Sequence, residues 1–151
     1  MKIAITGLSG FLGHYVAKKL FERDVQMQAL VRSTSNVSHL NRYEEKITFV
    51  QGDLEDKESL EKFVQGADIV IHMAYERNGT GFHDSARNNI RQLVDVNLTG
   101  SLELLDASKQ HGVKQFIFTS SCAVYGHIFP DIKLDEQHPL MPDSNYGAYK
   151  A

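Results

Sequence analysis

Three side chains near the end of the sequence have types and spacing suited to moving a proton on an alcohol. Tyr146 and Lys150 stand at i and i+4 in Tyr146-Gly147-Ala148-Tyr149-Lys150. On a helix that spacing brings a phenol and an ammonium to one face. A tyrosine with a pKa of about 10 is a poor base at neutral pH, and a lysine charge beside it favours the phenolate. Upstream, Thr119-Ser120-Ser121-Cys122-Ala123-Val124-Tyr125-Gly126 follows a short apolar run. Ser121 there can orient a substrate oxygen between its own hydroxyl and the Tyr146 phenol. Tyr-x-x-x-Lys alone reads equally well as one face of an amphipathic helix, so its meaning depends on the surrounding elements.

A second chemistry lies at the start of the chain, in Gly7-Leu8-Ser9-Gly10-Phe11-Leu12-Gly13. Without side chains at Gly7, Gly10 and Gly13, the backbone through Phe11 and Leu12 can approach a pyrophosphate at a helix N-terminus. Glycines that merely let helix and strand pack closely are the other reading. A ribose-reading carboxylate is expected about 20 residues further on, but the sequence there is Val31-Arg32-Ser33-Thr34. Arg32 can face a 2′-phosphate instead, which favours NADP(H) over NAD(H); the plain alternative is a solvated arginine. Asp53, in Gly52-Asp53-Leu54, can accept from an adenine amino group or simply close a turn.

The elements that must position these groups alternate. Apolar runs at 3–6, 26–31, 47–50, 69–72 and 116–119 read as strands, and 11–23, 57–65 and 88–111 as helices. Asp56 is the expected N-cap of the second helix, and Gly112 the C′ residue of the third. Asn78-Gly79-Thr80-Gly81 carries turn signals, the stretch before the third strand is weakly helical, and the chain from the fifth strand to Asn145 reads as loop. Strand–helix alternation at this spacing means βαβ units, and right-handed crossovers favour a doubly wound parallel sheet over a barrel. The fold class is α/β and Rossmann-like, with the Phe and Leu stripes as core.

Composition narrows the function. The 151 residues fit one domain, are 42% hydrophobic, and carry sixteen basic against nineteen acidic side chains for a net charge of −3. There is no basic excess to attract nucleic acid or anionic lipid. No apolar run approaches the roughly 20 residues of a membrane span, and the N-terminal one is too short for a signal peptide. The expected location is cytoplasmic. One cysteine excludes an internal disulfide. The seven histidines form no ligand spacing, so no metal is expected. Cys122 reads as a small buried hydrophobe, and Glu55-Asp56 and Asp135-Glu136 as solvated turns or helix starts.

The residues Thr6 to Gly13, Gly52-Asp53-Leu54, His72-Met73-Ala74, Asp95 to Gly100, Ser120 to Gly126 and Tyr146 to Lys150 together resemble the extended short-chain dehydrogenase/reductase family, the NAD(P)-dependent sugar epimerases and dehydratases. The resemblance implies a pyrophosphate turn at Gly7, Gly10 and Gly13, adenine contacts from Asp53 and Leu54, and positions along the cofactor for Ala74 and Asn97. It makes Ser121 the catalytic hydroxyl, Tyr146 the acid/base, and Lys150 the group that holds the nicotinamide ribose. The implied reaction is hydride transfer at the carbinol of a nucleotide sugar. Alternatives are a ketone/alcohol reductase of dihydroflavonol or hydroxysteroid type and a non-catalytic dinucleotide-binding module. The family's chains are about twice this long, so residues 1–151 are expected to be an incomplete cofactor domain whose last strands and substrate domain lie beyond them. A homodimer is expected of the longer protein, through the helix over 88–111.

Overall fold

Five short, largely apolar runs pair into one sheet in the computed structural model, which describes residues 1–77, 90–128 and 133–151. They are β1 (Lys2–Thr6), β2 (Gln26–Val31), β3 (Ile47–Gln51), β4 (Ile69–His72) and β5 (Gln115–Phe118). The helices are α1 (Phe11–Phe21), α2 (Lys57–Val64), α3 (Ile90–Val94), α4 (Gly100–Gln110) and α5 (Asn145–Lys150). All strand pairs are parallel, in the order β3-β2-β1-β4-β5. The winding therefore reverses at β1. Thr6, its last residue, pairs with Leu30 on one side and His72 on the other. A crevice outside the carboxyl ends of strands at such a switch point is where open α/β sheets bind ligands. The doubly wound architecture expected from the sequence is the one observed.

Alternation along the strands divides the core in two. Ala4, Leu30 and Val70 pack with Leu60, Phe63 and Val64 of α2 and Leu104 and Ala107 of α4. Ile3, Ile5, Met27 and Ala29 pack on the opposite face with Ala17 of α1 and with Leu40 and Tyr43 from a 3-10 segment, Ser38–Lys46. Asp56 caps α2 by accepting from the Glu58 and Ser59 N–H groups at 3.1 and 3.4 Å. At the other end Gln28 of β2 donates to the carbonyls of Lys62 and Phe63, which the helix itself leaves open.

Several sequence expectations change. The first helix buries Gly13 and Ala17, while Phe11, Leu12 and Tyr15 are exposed, Phe11 by 83%. Small residues take the inward face because α1 lies almost on the glycine turn. Leu102 and Leu105 of α4 are likewise exposed rather than core. The long helix expected over 88–111 runs from Ile90 to Gln110 but is broken into α3 and α4 by a π turn, Asp95–Thr99. β5 begins one residue earlier than expected, and a 3-10 turn, Cys122–Tyr125, interrupts the expected loop. Positions 78–81 and 88 lie outside the described residues. Among the described residues no helix is long and apolar enough to cross a membrane.

Candidate functional site

β1 ends at Thr6 and the chain turns through Gly7, whose φ of +74° suits glycine. A Cβ there would lie 2.7 Å from the Ala74 nitrogen, so the turn lies directly against the chain leaving β4. Gly13 is the packing glycine: its Cβ would meet the Leu8 and Gly7 carbonyl oxygens at 2.3 and 2.5 Å. Gly10 precedes α1 with no side-chain cap, and no acid occupies the first turn. The unbonded N–H groups of that turn and the helix dipole form an anion-binding end. They face a cleft of about 430 Å³ whose wall includes Gly7, Gly10, Phe11, Leu12, Arg32, Asp53, Leu54, Ala74, Tyr146 and Lys150.

A directional network fixes the β1–β4 side of this cleft. The buried Thr6 Oγ1 accepts from the Met73 and Ala74 N–H groups at 3.2 and 3.1 Å. Its own proton then goes to His72 Nδ1, 2.6 Å away, so His72 carries its hydrogen on Nε2. That N–H donates to Ser101 Oγ at 2.8 Å, and Ser101 donates to the Asn97 carbonyl at 2.5 Å. Burial, with a smaller contribution from the Lys150 charge, lowers the His72 pKa to about 4, as suits an imidazole used as a neutral relay. Asn97 is buried in the π turn. Its amide accepts from the Glu76 N–H at 2.8 Å and donates to the Glu76 carbonyl at 3.1 Å, clamping the segment after β4.

At the β5 end, α5 carries Tyr146 and Lys150 to the same cleft. Ser144 caps α5 by accepting from the Gly147 N–H at 3.1 Å, and Ser120 donates to the Lys150 carbonyl at 2.8 Å. Lys150 is 5% exposed, with Nζ 4.7 Å from the centre of the Phe118 ring and 5.4 Å from that of Tyr75. No carboxylate among the described residues pairs with it, and burial holds its pKa below the usual lysine value. Tyr75 packs edge-to-face on Tyr146, with ring centres 4.9 Å apart. Burial and the neighbouring Tyr149 and Tyr146 raise the Tyr75 pKa. Ser121 accepts from the Ala123 N–H at 3.2 Å, capping the turn after β5, while Thr119 lines the cleft. Cys122 is exposed, not buried as expected.

At the opposite end Arg32 follows β2, and its Nη1 donates to Glu76 Oε2 at 2.5 Å. Asp53 shapes its own turn by accepting from the Glu55 N–H at 3.4 Å, and Leu54 is buried under the cleft floor. Glu76 and Tyr75 escaped the sequence reading. A tyrosine and an acid directly after the His72-Met73-Ala74 motif were the available signal. Among the described residues no cluster of three or more His, Cys, Asp and Glu side chains could hold a metal.

Comparison with known proteins agrees with this fold. The family model described as NAD dependent epimerase/dehydratase family matches residues 3–151. A UDP-glucose 4-epimerase from Thermotoga maritima, solved with UDP-glucose, is 31% identical, with a TM-score of 0.84 over 99% of this chain and 48% of its own. The dTDP-glucose 4,6-dehydratase DesIV from Streptomyces venezuelae, solved with NAD, is 28% identical, with a TM-score of 0.85 over 99% of this chain and 48% of its own. A uronate dehydrogenase from Pseudomonas putida is 30% identical over 99% of this chain and 51% of its own length. The chain spans about half the length of the curated relatives it matches. It belongs to the NAD dependent epimerase/dehydratase family.

Proposed function

We propose that residues 1–151 are the cofactor-binding part of an NAD(P)-dependent enzyme that epimerises or dehydrates a nucleotide sugar. The observation that carries this reading is the convergence on one cleft of the glycine turn, the uncapped α1 N-terminus, Tyr146 and the buried Lys150. These residues fit a dinucleotide: Gly7 lets the turn lie directly against Ala74, where a Cβ would clash, and the α1 N–H groups suit a pyrophosphate. Lys150 offers donors to ribose hydroxyls at the far end. When bound, the nicotinamide would supply the redox chemistry, accepting and returning hydride at a sugar carbon.

The chain's own residues handle the proton. Tyr146 is the acid/base on the sugar hydroxyl, with Lys150 as the nearby cation that stabilises its anionic form. Ser121 has one lone pair engaged by the Ala123 N–H, and its proton remains to donate to a substrate oxygen. Dihydroflavonol- and hydroxysteroid-type reduction uses the same residues for a single transfer, and the uronate dehydrogenase relationship supports such a one-step reading.

Titration with NADH and NADPH, followed by nicotinamide fluorescence, tests the cofactor part. A folded chain that binds neither overturns it. In the longer protein, Tyr146→Phe is expected to abolish turnover with cofactor affinity nearly intact, and unchanged turnover overturns the role. Net consumption of cofactor with a ketone selects the one-step reading, and recycling without net consumption selects epimerisation.

A further inference from the structure

The geometry points to Glu76 as the residue that selects between the two dinucleotides, and to NAD(H) as the choice. This inference rests on the dinucleotide reading above. Ribose identity is read just beyond the second strand, by an acid that takes the 2′-hydroxyl or an arginine that takes a 2′-phosphate. Here that position holds Arg32, with no acid through Thr34. Arg32 by itself favours a phosphate. It is not by itself in the structure: Glu76 reaches over from the segment after β4 and accepts from Nη1 at 2.5 Å.

Glu76 is held in place from behind. Both backbone polar groups of Glu76 are bonded to the buried Asn97 amide, and the Asn97 carbonyl is bonded to Ser101. The pair is unequally solvated, with 54% of the Arg32 side chain exposed and 23% of the Glu76 side chain. The acid is thus the more enclosed partner and the arginine the more exposed one. A pair this exposed contributes little to stability, but its effect on an added phosphate is direct. A 2′-phosphate at this pair would meet a guanidinium already bonded to a carboxylate that repels the phosphate, with Arg77 as a further cation on the cleft wall. A 2′-hydroxyl would find an acceptor, since a carboxylate has about four lone-pair sites and Arg32 engages one. Glu76 thereby supplies, from the β4 side of the cleft, the acid that is missing after β2. Selectivity arises from repulsion of the wrong ligand as much as from attraction of the right one.

The test is the affinity ratio for NADH and NADPH, measured by fluorescence titration of the 151-residue chain at fixed salt. Wild type is expected to prefer NADH. Glu76→Gln should raise NADPH affinity relative to NADH by about tenfold, the scale of one like-charge contact in a partly screened site. Glu76→Ala should do the same, and adding Arg32→Ala to Glu76→Gln should remove most of the gain. A wild-type preference for NADPH overturns the inference, as does an unchanged ratio in both Glu76 variants with wild-type circular dichroism. Failure of the wild type to bind either cofactor overturns the cofactor reading itself and the inference with it.

Discussion

Thr6→Val replaces one hydroxyl by a methyl group of nearly the same size, at a residue 1% exposed. Three bonds vanish together: those accepted from the Met73 and Ala74 N–H groups and the one to His72 Nδ1. Met73 retains a second acceptor, the Thr6 carbonyl at 3.3 Å, so two groups are orphaned, the Ala74 N–H and His72 Nδ1. An unsatisfied buried group costs about 1–3 kcal/mol. Ala74 is only half-buried and borders the cleft, where water can reach it, so the lower half of the combined range applies, about 3 kcal/mol. For a domain of this size that is about 6–12 °C in Tm. Urea denaturation of wild type, Thr6→Val and Thr6→Ser, followed by far-UV circular dichroism at pH 7.5, measures it. Serine keeps the hydroxyl and should recover most of the loss. The same substitution releases Ala74 from the strand end that holds it against Gly7, so NADH binding should weaken in Thr6→Val and recover in Thr6→Ser. A Thr6→Val penalty below about 0.5 kcal/mol, or a serine variant no better than the valine, would refute the directional network, because its sense depends on Thr6 donating to His72.

Two further outcomes are expected from the same region. His72 titrates at about 4 in the fold against 6.5 ordinarily. Below pH 6.5 the unfolded chain therefore takes up a proton that the folded chain refuses. Stability present above 6.5 is lost as pH falls toward 4, by about 2 kcal/mol at pH 5, and urea midpoints that stay level from pH 7.5 to 5 would exclude a buried neutral imidazole. Tyr75→Ala opens the ring contact over Lys150 to water and should move the lysine pKa up toward its ordinary value, because burial is what depresses it; pH titration of the Lys150 ε-methylene by NMR reads the shift, and no upward movement would count against that packing.

What could be read from residues alone was whatever depends on local periodicity and spacing. The strand runs 3–6 and 69–72 are short and apolar, and both Asp56 and Gly112 act within one helical turn of the ends they close. The glycine turn was legible for the same reason, since strand, turn and helix are consecutive. Phe11 and Leu12 show where periodicity misleads. Their spacing suits a buried stripe, but even a Cβ at Gly13 would meet the Leu8 and Gly7 carbonyl oxygens at 2.3 and 2.5 Å, so near the glycine turn the helix faces inward through Gly13 and Ala17. The large side chains are left at the cleft mouth. The π turn is equally hidden in the sequence, because nothing in Asp95 to Thr99 marks the widened turn.

Two cations on the cleft wall, Arg32 and Lys150, show most clearly what a linear reading omits. Arg32 and Lys150 were both legible as positive charges at suitable places, one for a phosphate and one for ribose hydroxyls. Which of them is available for a ligand is decided by tertiary contacts. Arg32 meets a carboxylate 44 positions away in sequence, held there by an asparagine from a third element. Lys150 meets only rings, Phe118 from β5 and Tyr75 from the segment after β4, and no carboxylate among the described residues. Packing a cation on apolar faces lowers the cost of stripping its water without cancelling its charge. A cleft built this way has Arg32 paired with a carboxylate at the β2 end and Lys150 packed on rings at the β5 end, the end that also carries the Tyr146 phenol proposed as acid/base. That asymmetry follows from the residues after His72-Met73-Ala74, and it is the reason a tyrosine and a glutamate at 75 and 76 matter more to this site than their unremarkable sequence context indicates.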